Sequence, residues 1–165
     1  MTARADLTFE TRIDIPEPQR EELVALLNAR LADTFDLYSQ VKQAHWNVKG
    51  SDFIQLHLLY DQVAESVLEF VDLIAERATS LGGLALGTIR MAAAASTLEE
   101  YPESTVVGME TVAVIADQLA AYGAAVRSAS DVAGSLDDQS TADLFTEVSR
   151  AIDKNLWFVE AHLQA

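Results

Sequence analysis

Hydrophobic positions fall at helical spacing along most of the chain. Leu23, Leu27, Leu31, Phe35, Tyr38 and Val41 recur every three or four residues, the period of one face of an α-helix. Pro18 suits a first helical turn, with Glu21 and Glu22 close behind. A first helix is therefore predicted from about residue 18 to His45 or Trp46. Asn47 to Gly50 breaks it, because Lys49-Gly50 is a good stop. Ser51 or Asp52 can cap a second helix, which Gly82-Gly83 ends near Leu81. The connection over 82–104 contains Pro102, and its AAAASTLEEY predicts a short helix. A third helix, about 105–132, is nearly uncharged through VVGMETVAVIADQLAAYGAAV and should be well buried. After a GSLDD turn, a fourth helix over about 140–163 opens on a Ser140/Thr141 cap. It carries Leu144, Phe145, Val148, Ile152, Trp157 and Val159, with Trp157 assigned to the core.

Four long helices with one long crossover predict an all-α fold, a four-helix bundle of ferritin-like layout. The short extra helix lies in the crossover between helices 2 and 3. Residues 1–17 read as a flexible-looking N-terminal arm and 18–165 as the bundle. A chain of 165 residues, half of them hydrophobic, is enough for one domain with a sizeable core. It has no cysteine, so disulfides, thiolate nucleophiles and Cys-based metal sites are excluded, which fits a reducing compartment. No secretory signal and no membrane-length apolar run is visible, so a cytoplasmic location is expected.

The formal net charge is −15, a surface that repels polyanions and attracts cations. The second helix shows where cations could be held. With His57 at zero and about 100° per residue, Asp61 falls near 40°, Asp72 near 60° and Glu76 near 100°. Glu65 and Leu68 share that stripe. His57 and Asp61 are one turn apart, as are Asp72 and Glu76, but about 22 Å of helix separates the two pairs. Metal–ligand bonds are near 2 Å, so one ion cannot touch both pairs on a straight helix. A second copy, antiparallel across a two-fold axis near Ser66–Val67, would set each His57/Asp61 pair beside a partner's Asp72/Glu76 pair. His45, just before the Lys49-Gly50 turn, would stand level with His57. Two imidazoles and three carboxylates suit Fe(II), Mn(II) or Zn(II).

An intrasubunit di-iron site needs Glu-x-x-His on two helices, and none occurs here. Glu160-Ala-His162 has the wrong spacing. One further histidine and no cysteine leave little for a nucleophilic triad.

HWNVKGSDFIQLH, the following Asp61, Asp72 and Glu76, AERATSLGG, and DKNLWFVEA together resemble the Dps family, the mini-ferritins, over about residues 20–162. The resemblance implies a hollow homo-dodecamer of four-helix subunits that oxidises Fe(II) and stores ferric mineral, protecting against oxidative stress. Hydrogen peroxide is commonly preferred over dioxygen as oxidant. It further implies ferroxidase sites across the dimer two-fold, matching His45, His57 and Asp61 with the partner's Asp72 and Glu76. Trp46 becomes a candidate electron donor, its alternative being an aromatic plug in the dimer contact. Asp138 and Asp143 match the region lining three-fold pores, although a carboxylate at a helix start is also good capping chemistry.

The chain departs from DNA-binding relatives, many of which carry a lysine-rich N-terminal arm or basic C-terminal tail. Arg4 and Arg12 here face Asp6, Glu10 and Asp14, and EAHLQA has no basic residue. Twelve times −15 would be −180 formal charges on a cage, so direct DNA binding is not expected. The competing reading is a DNA-compacting structural protein with secondary iron binding.

Overall fold

In the computed structural model, which describes residues 8–164, the chain forms five helices. They are α1 (Glu17–Asn47), α2 (Phe53–Ser80), α3 (Ile89–Ala95), α4 (Gly108–Ser135) and α5 (Gln139–Glu160). Short turns join α1 to α2 and α4 to α5, so each pair is an antiparallel hairpin, and these pairs make the main contacts. The crossover between α2 and α4 returns to the end where α2 began: Lys49 N–H donates to Val106 O (2.7 Å) and Gly108 N–H to Lys49 O (2.9 Å). The result is the predicted all-α bundle, with α3 laid on α1.

The core is the stripe set out by the sequence: Leu23, Leu27, Leu31 and Val41 of α1 meet Leu56, Val67 and Ile74 of α2, all fully buried. Two hydroxyl pairs cross it. Thr111 Oγ1 donates to Gly108 O, so the Tyr60 hydroxyl donates to Thr111 at 2.8 Å. Thr34 Oγ1 donates to Arg30 O, so Tyr122 donates to Thr34. Each buried phenol thus finds an acceptor and avoids a desolvation penalty.

Several expected boundaries move. The crossover helix is Ile89–Ala95, capped by Thr88, whose hydroxyl accepts from Met91 N–H. It stops before STLEEY because Ser96 and Thr97 turn toward α1. Thr97 N–H donates to the fully buried Asp33 at 2.7 Å, and Ser96 Oγ to Asp36 at 2.6 Å. The next helix starts at Gly108 rather than about 105, since Val106 and Gly108 are engaged with Lys49. It runs through Gly134-Ser135, and Asp137 at φ 61° makes the turn. The Asp52 side chain makes no capping bond to α2. The cap of α5 is Asp138, not Ser140 or Thr141.

Trp157 is also corrected: it is 61% exposed, not core. The arm over residues 8–16 is tied down. Phe9 N–H donates to Gly82 O at 2.7 Å, and Ile13 and Ile15 pack on the core. The first seven residues assigned to it lie outside the described residues.

Candidate metal centre

His45 lies in the last turn of α1 and His57 in the second turn of α2. Gly50, at φ +120°, lets the chain reverse between them, and the Lys49 bonds to the start of α4 fix the corner. The two imidazoles stack, with centroids 3.8 Å apart and planes 19° from parallel. Their Nδ1 atoms face each other's backbone: His45 Nδ1 is 2.7 Å from His57 O, and His57 Nδ1 is 2.9 Å from His45 O. A carbonyl only accepts, so each Nδ1 is a protonated nitrogen, and in the neutral ring the lone pair then lies on Nε2. Fixing the tautomer through the far nitrogen is how metal-ligating histidines are commonly oriented.

Asp61, one turn beyond His57, brings Oδ1 to 3.9 Å from His45 Nε2. The same oxygen accepts from Lys42 Nζ at 2.6 Å. That hydrogen bond, against a smaller effect of burial and with help from the Lys42 charge, holds the Asp61 carboxyl below its ordinary range. The corner therefore offers two imidazole lone pairs and one ionised carboxylate.

Asp72 and Glu76 lie farther along α2, exposed, and are not brought to this corner. Among the described residues, no three His, Asp or Glu side chains of one chain converge on a point that could hold an ion. The α2 face bearing these carboxylates also exposes Ile54, Leu58 and Leu68 (54%, 60% and 42%). A mixed acidic and apolar helix face of this kind is unpartnered in the single chain. Trp46 is 63% exposed, beside the corner, with Lys42 Nζ 5.8 Å from its ring centre.

The two candidate pore residues separate. Asp138 is 3% exposed, accepts from Arg77 Nη2 on both oxygens at 2.8 Å, and caps α5 through Thr141 N–H. Burial pushes its carboxyl up, but the bonds from Arg77 and Thr141 outweigh this and leave it lowered. Its carboxylate is committed within the subunit, whereas Asp143 is exposed. Lys42 escaped the sequence reading, which weighed acids and imidazoles. Its signal was its position three residues before His45, on the neighbouring face of the same helix.

The family model for the ferritin-like domain matches residues 24–165. A DNA protection during starvation protein of Agrobacterium fabrum is 36% identical over 157 residues, covering 95% of this chain and 97% of the relative. Among solved structures, DpsA14 from Streptomyces coelicolor superposes with a TM-score of 0.91 at 31% identity, covering 98% of this chain and 96% of that one. DpsC from the same organism gives 0.92 at 29% identity, covering 100% and 97%.

Proposed function

The chain belongs to the Dps family of ferritin-like proteins, and from that membership we propose that it is a mini-ferritin. It oxidises Fe(II), preferentially with hydrogen peroxide, at sites shared between subunits. It stores the ferric product inside a hollow homo-dodecamer in the cytoplasm, limiting oxidative damage. The observation that carries this reading is the reciprocally bonded His45/His57 pair, which presents two Nε2 lone pairs beside Asp61. The ligand set is completed by Asp72 and Glu76 of the partner subunit.

Iron is the substrate here, and the side chains have distinct tasks. Neutral imidazoles accept Fe(II) without adding charge, while the carboxylates favour the rise from two-plus to three-plus. Each Fe(II) gives up one electron and hydrogen peroxide takes two. Peroxide with two protons thus becomes two waters as two irons are oxidised, and no hydroxyl radical is released. Trp46 stands beside the corner as a candidate donor of an extra electron. Zn(II) or Mn(II) suits the same donors and would compete. Exposed carboxylates, Asp143 among them, concentrate Fe(II) by their field. The acidic chain disfavours direct DNA contact, so strong gel retardation at low salt without divalent metal would contradict this part of the reading.

The direct test follows Fe(II) oxidation by peroxide in the wild type and in His45→Ala/His57→Ala. Loss of the imidazoles should slow oxidation at least about tenfold. Equal rates would refute the site assignment. Sedimentation tests assembly: a stable monomer with full ferroxidase activity would overturn the shared site.

A further inference from the structure

Lys42 meets the acidic face of α2 at its most chemically loaded point. Its ammonium lies 2.6 Å from Asp61 Oδ1, and its side chain is 17% exposed, held between α1 and α2 rather than extended into water. Among the described residues this is the one strongly basic group paired to that face; Glu65, Glu69, Asp72 and Glu76 enter no ion pair. Arg77, next in sequence to Glu76, is turned the other way, onto Asp138.

Five carboxylates (Asp61, Glu65, Glu69, Asp72 and Glu76) fall within an arc of roughly 40° to 120° on α2. The antiparallel pairing proposed above doubles that number around an axis near Ser66–Val67. Without metal, the contact is between surfaces of like charge, and such contacts oppose association. An ammonium at Asp61 removes one negative charge per subunit where His45, His57 and the partner's acids meet.

We propose that Lys42 is the stand-in cation of the metal-free protein: it holds Asp61 and neutralises part of the α2 face, so that subunits pair before iron arrives. The proposal rests on the shared-site reading above. Fe(II), with twice the charge and two imidazole ligands to gain, then takes over the Asp61 oxygen. Lysine suits the exchange because its ammonium is a point charge on a flexible stem. The ring of Trp46, 5.8 Å away, gives that ammonium a second resting place through a cation–π contact. Assembly in the wild type is thus largely independent of metal, and removing Lys42 makes it metal-dependent.

The experiment is sedimentation of the metal-free full-length protein. Wild type, Lys42→Met, Lys42→Arg and Lys42→Met/Asp61→Asn are compared at about 0.01 M salt, where charges act over roughly 30 Å, and at about 1 M, where they act over roughly 3 Å. At low salt Lys42→Met should associate about fivefold more weakly, the equivalent of one surface ion pair. High salt, added Zn(II), or the second substitution Asp61→Asn should each restore association, and Lys42→Arg should keep it. Helix content by circular dichroism checks folding, with Lys42→Gln as the alternative if Lys42→Met misfolds. Two results overturn the proposal: Lys42→Met associating like wild type at low salt, or a deficit that salt, Zn(II) and Asp61→Asn all leave in place. A wild type that stays monomeric throughout would instead overturn the shared-site reading itself.

Discussion

Replacing Asp138 with alanine should cost about 3 kcal/mol of subunit stability, from two sources. The first is the helix cap. Asp138 accepts from Thr141 N–H at 3.1 Å, and losing an aspartate cap costs about 1 kcal/mol. The second is the ion pair with Arg77, whose Nη2 lies 2.8 Å from both carboxylate oxygens. Breaking a fully buried pair costs about 3–5 kcal/mol. Arg77 is 20% exposed and keeps its 2.8 Å bond to Thr141 Oγ1, which reduces this to about 2 kcal/mol. The assay is urea unfolding at one fixed subunit concentration, since assembly adds stability by mass action. Arg77→Ala, Asp138→Ala and the double variant close a cycle, with an expected coupling of about 1–2 kcal/mol. The pH dependence supplies a second arm. The folded carboxyl lies below the ordinary aspartate value of 3.8, so the folded state binds fewer protons than the unfolded one near that pH. The wild-type advantage is then full above 3.8 and shrinks as pH falls below it. Additive single substitutions, or a gap between wild type and Asp138→Ala that does not narrow in acid, would refute the reasoning. Because Arg77 follows Glu76 directly, the same variant should also loosen the end of α2 that presents Glu76.

Gly83→Ala should lower the melting temperature, because its Cβ would overlap the Val24 side chain at Cγ1. Overpacking of this kind costs about 1–3 kcal/mol; Val24→Ala should recover much of it, and an unchanged melt would contradict the close contact. Thr111→Val strands the Tyr60 hydroxyl in the core and should cost about 1–3 kcal/mol in urea unfolding, with Thr111→Ser near wild type; equal losses for both would show that the hydrogen bond is irrelevant. At high pH, burial pushes Tyr60 up to about 12 and Tyr122 higher still. The unfolded chain ionises near 10, so stability should fall as pH rises above 10, by up to about 1.4 kcal/mol per unit for each tyrosine. Phenolate absorbance from these two residues should appear together with loss of helix; full ionisation near pH 10 in a folded protein would refute it.

The helix pairs were legible because local signals agreed with the final packing. Leu23, Leu27 and Leu31 wrote the buried stripe of α1, and Lys49-Gly50 and Gly82-Gly83 marked ends within one or two residues of those found. The misplacements have tertiary causes. An Ala-rich run favours helix on its own, but Asp33, more than 60 residues earlier, draws Ser96 and Thr97 out of it. The start of α4 was deferred by a bridge to Lys49 that no local pattern announces. Trp157 is different, since the sequence did contain the answer. From Phe145 it lies about 120° around the helix, while Val148, Ile152 and Val159 fall within roughly 60° on the other side. Spacing alone had grouped it with the core, and the wheel angle separates it.

The candidate site divides along the same line. His45 and His57 could be set level from the sequence because a glycine turn between two helices leaves little freedom in register. Their reciprocal Nδ1 bonds could not, since each uses the other helix's backbone as acceptor. Lys42 was hidden for a related reason: its partner Asp61 lies 19 residues away, across the hairpin. What limits both is contact between helices rather than pattern within one. The axial gap on α2 needs no such contact to interpret. Asp61 and Asp72 are 11 residues apart on one continuous helix, about 16 Å of rise, and no side-chain rotamer closes that distance onto a single ion. Any site that uses both must draw them from two chains, so the same residues that argue for iron chemistry also argue for assembly. The Lys42 variants, the histidine variants and sedimentation of the wild type therefore test one geometry at three separate points.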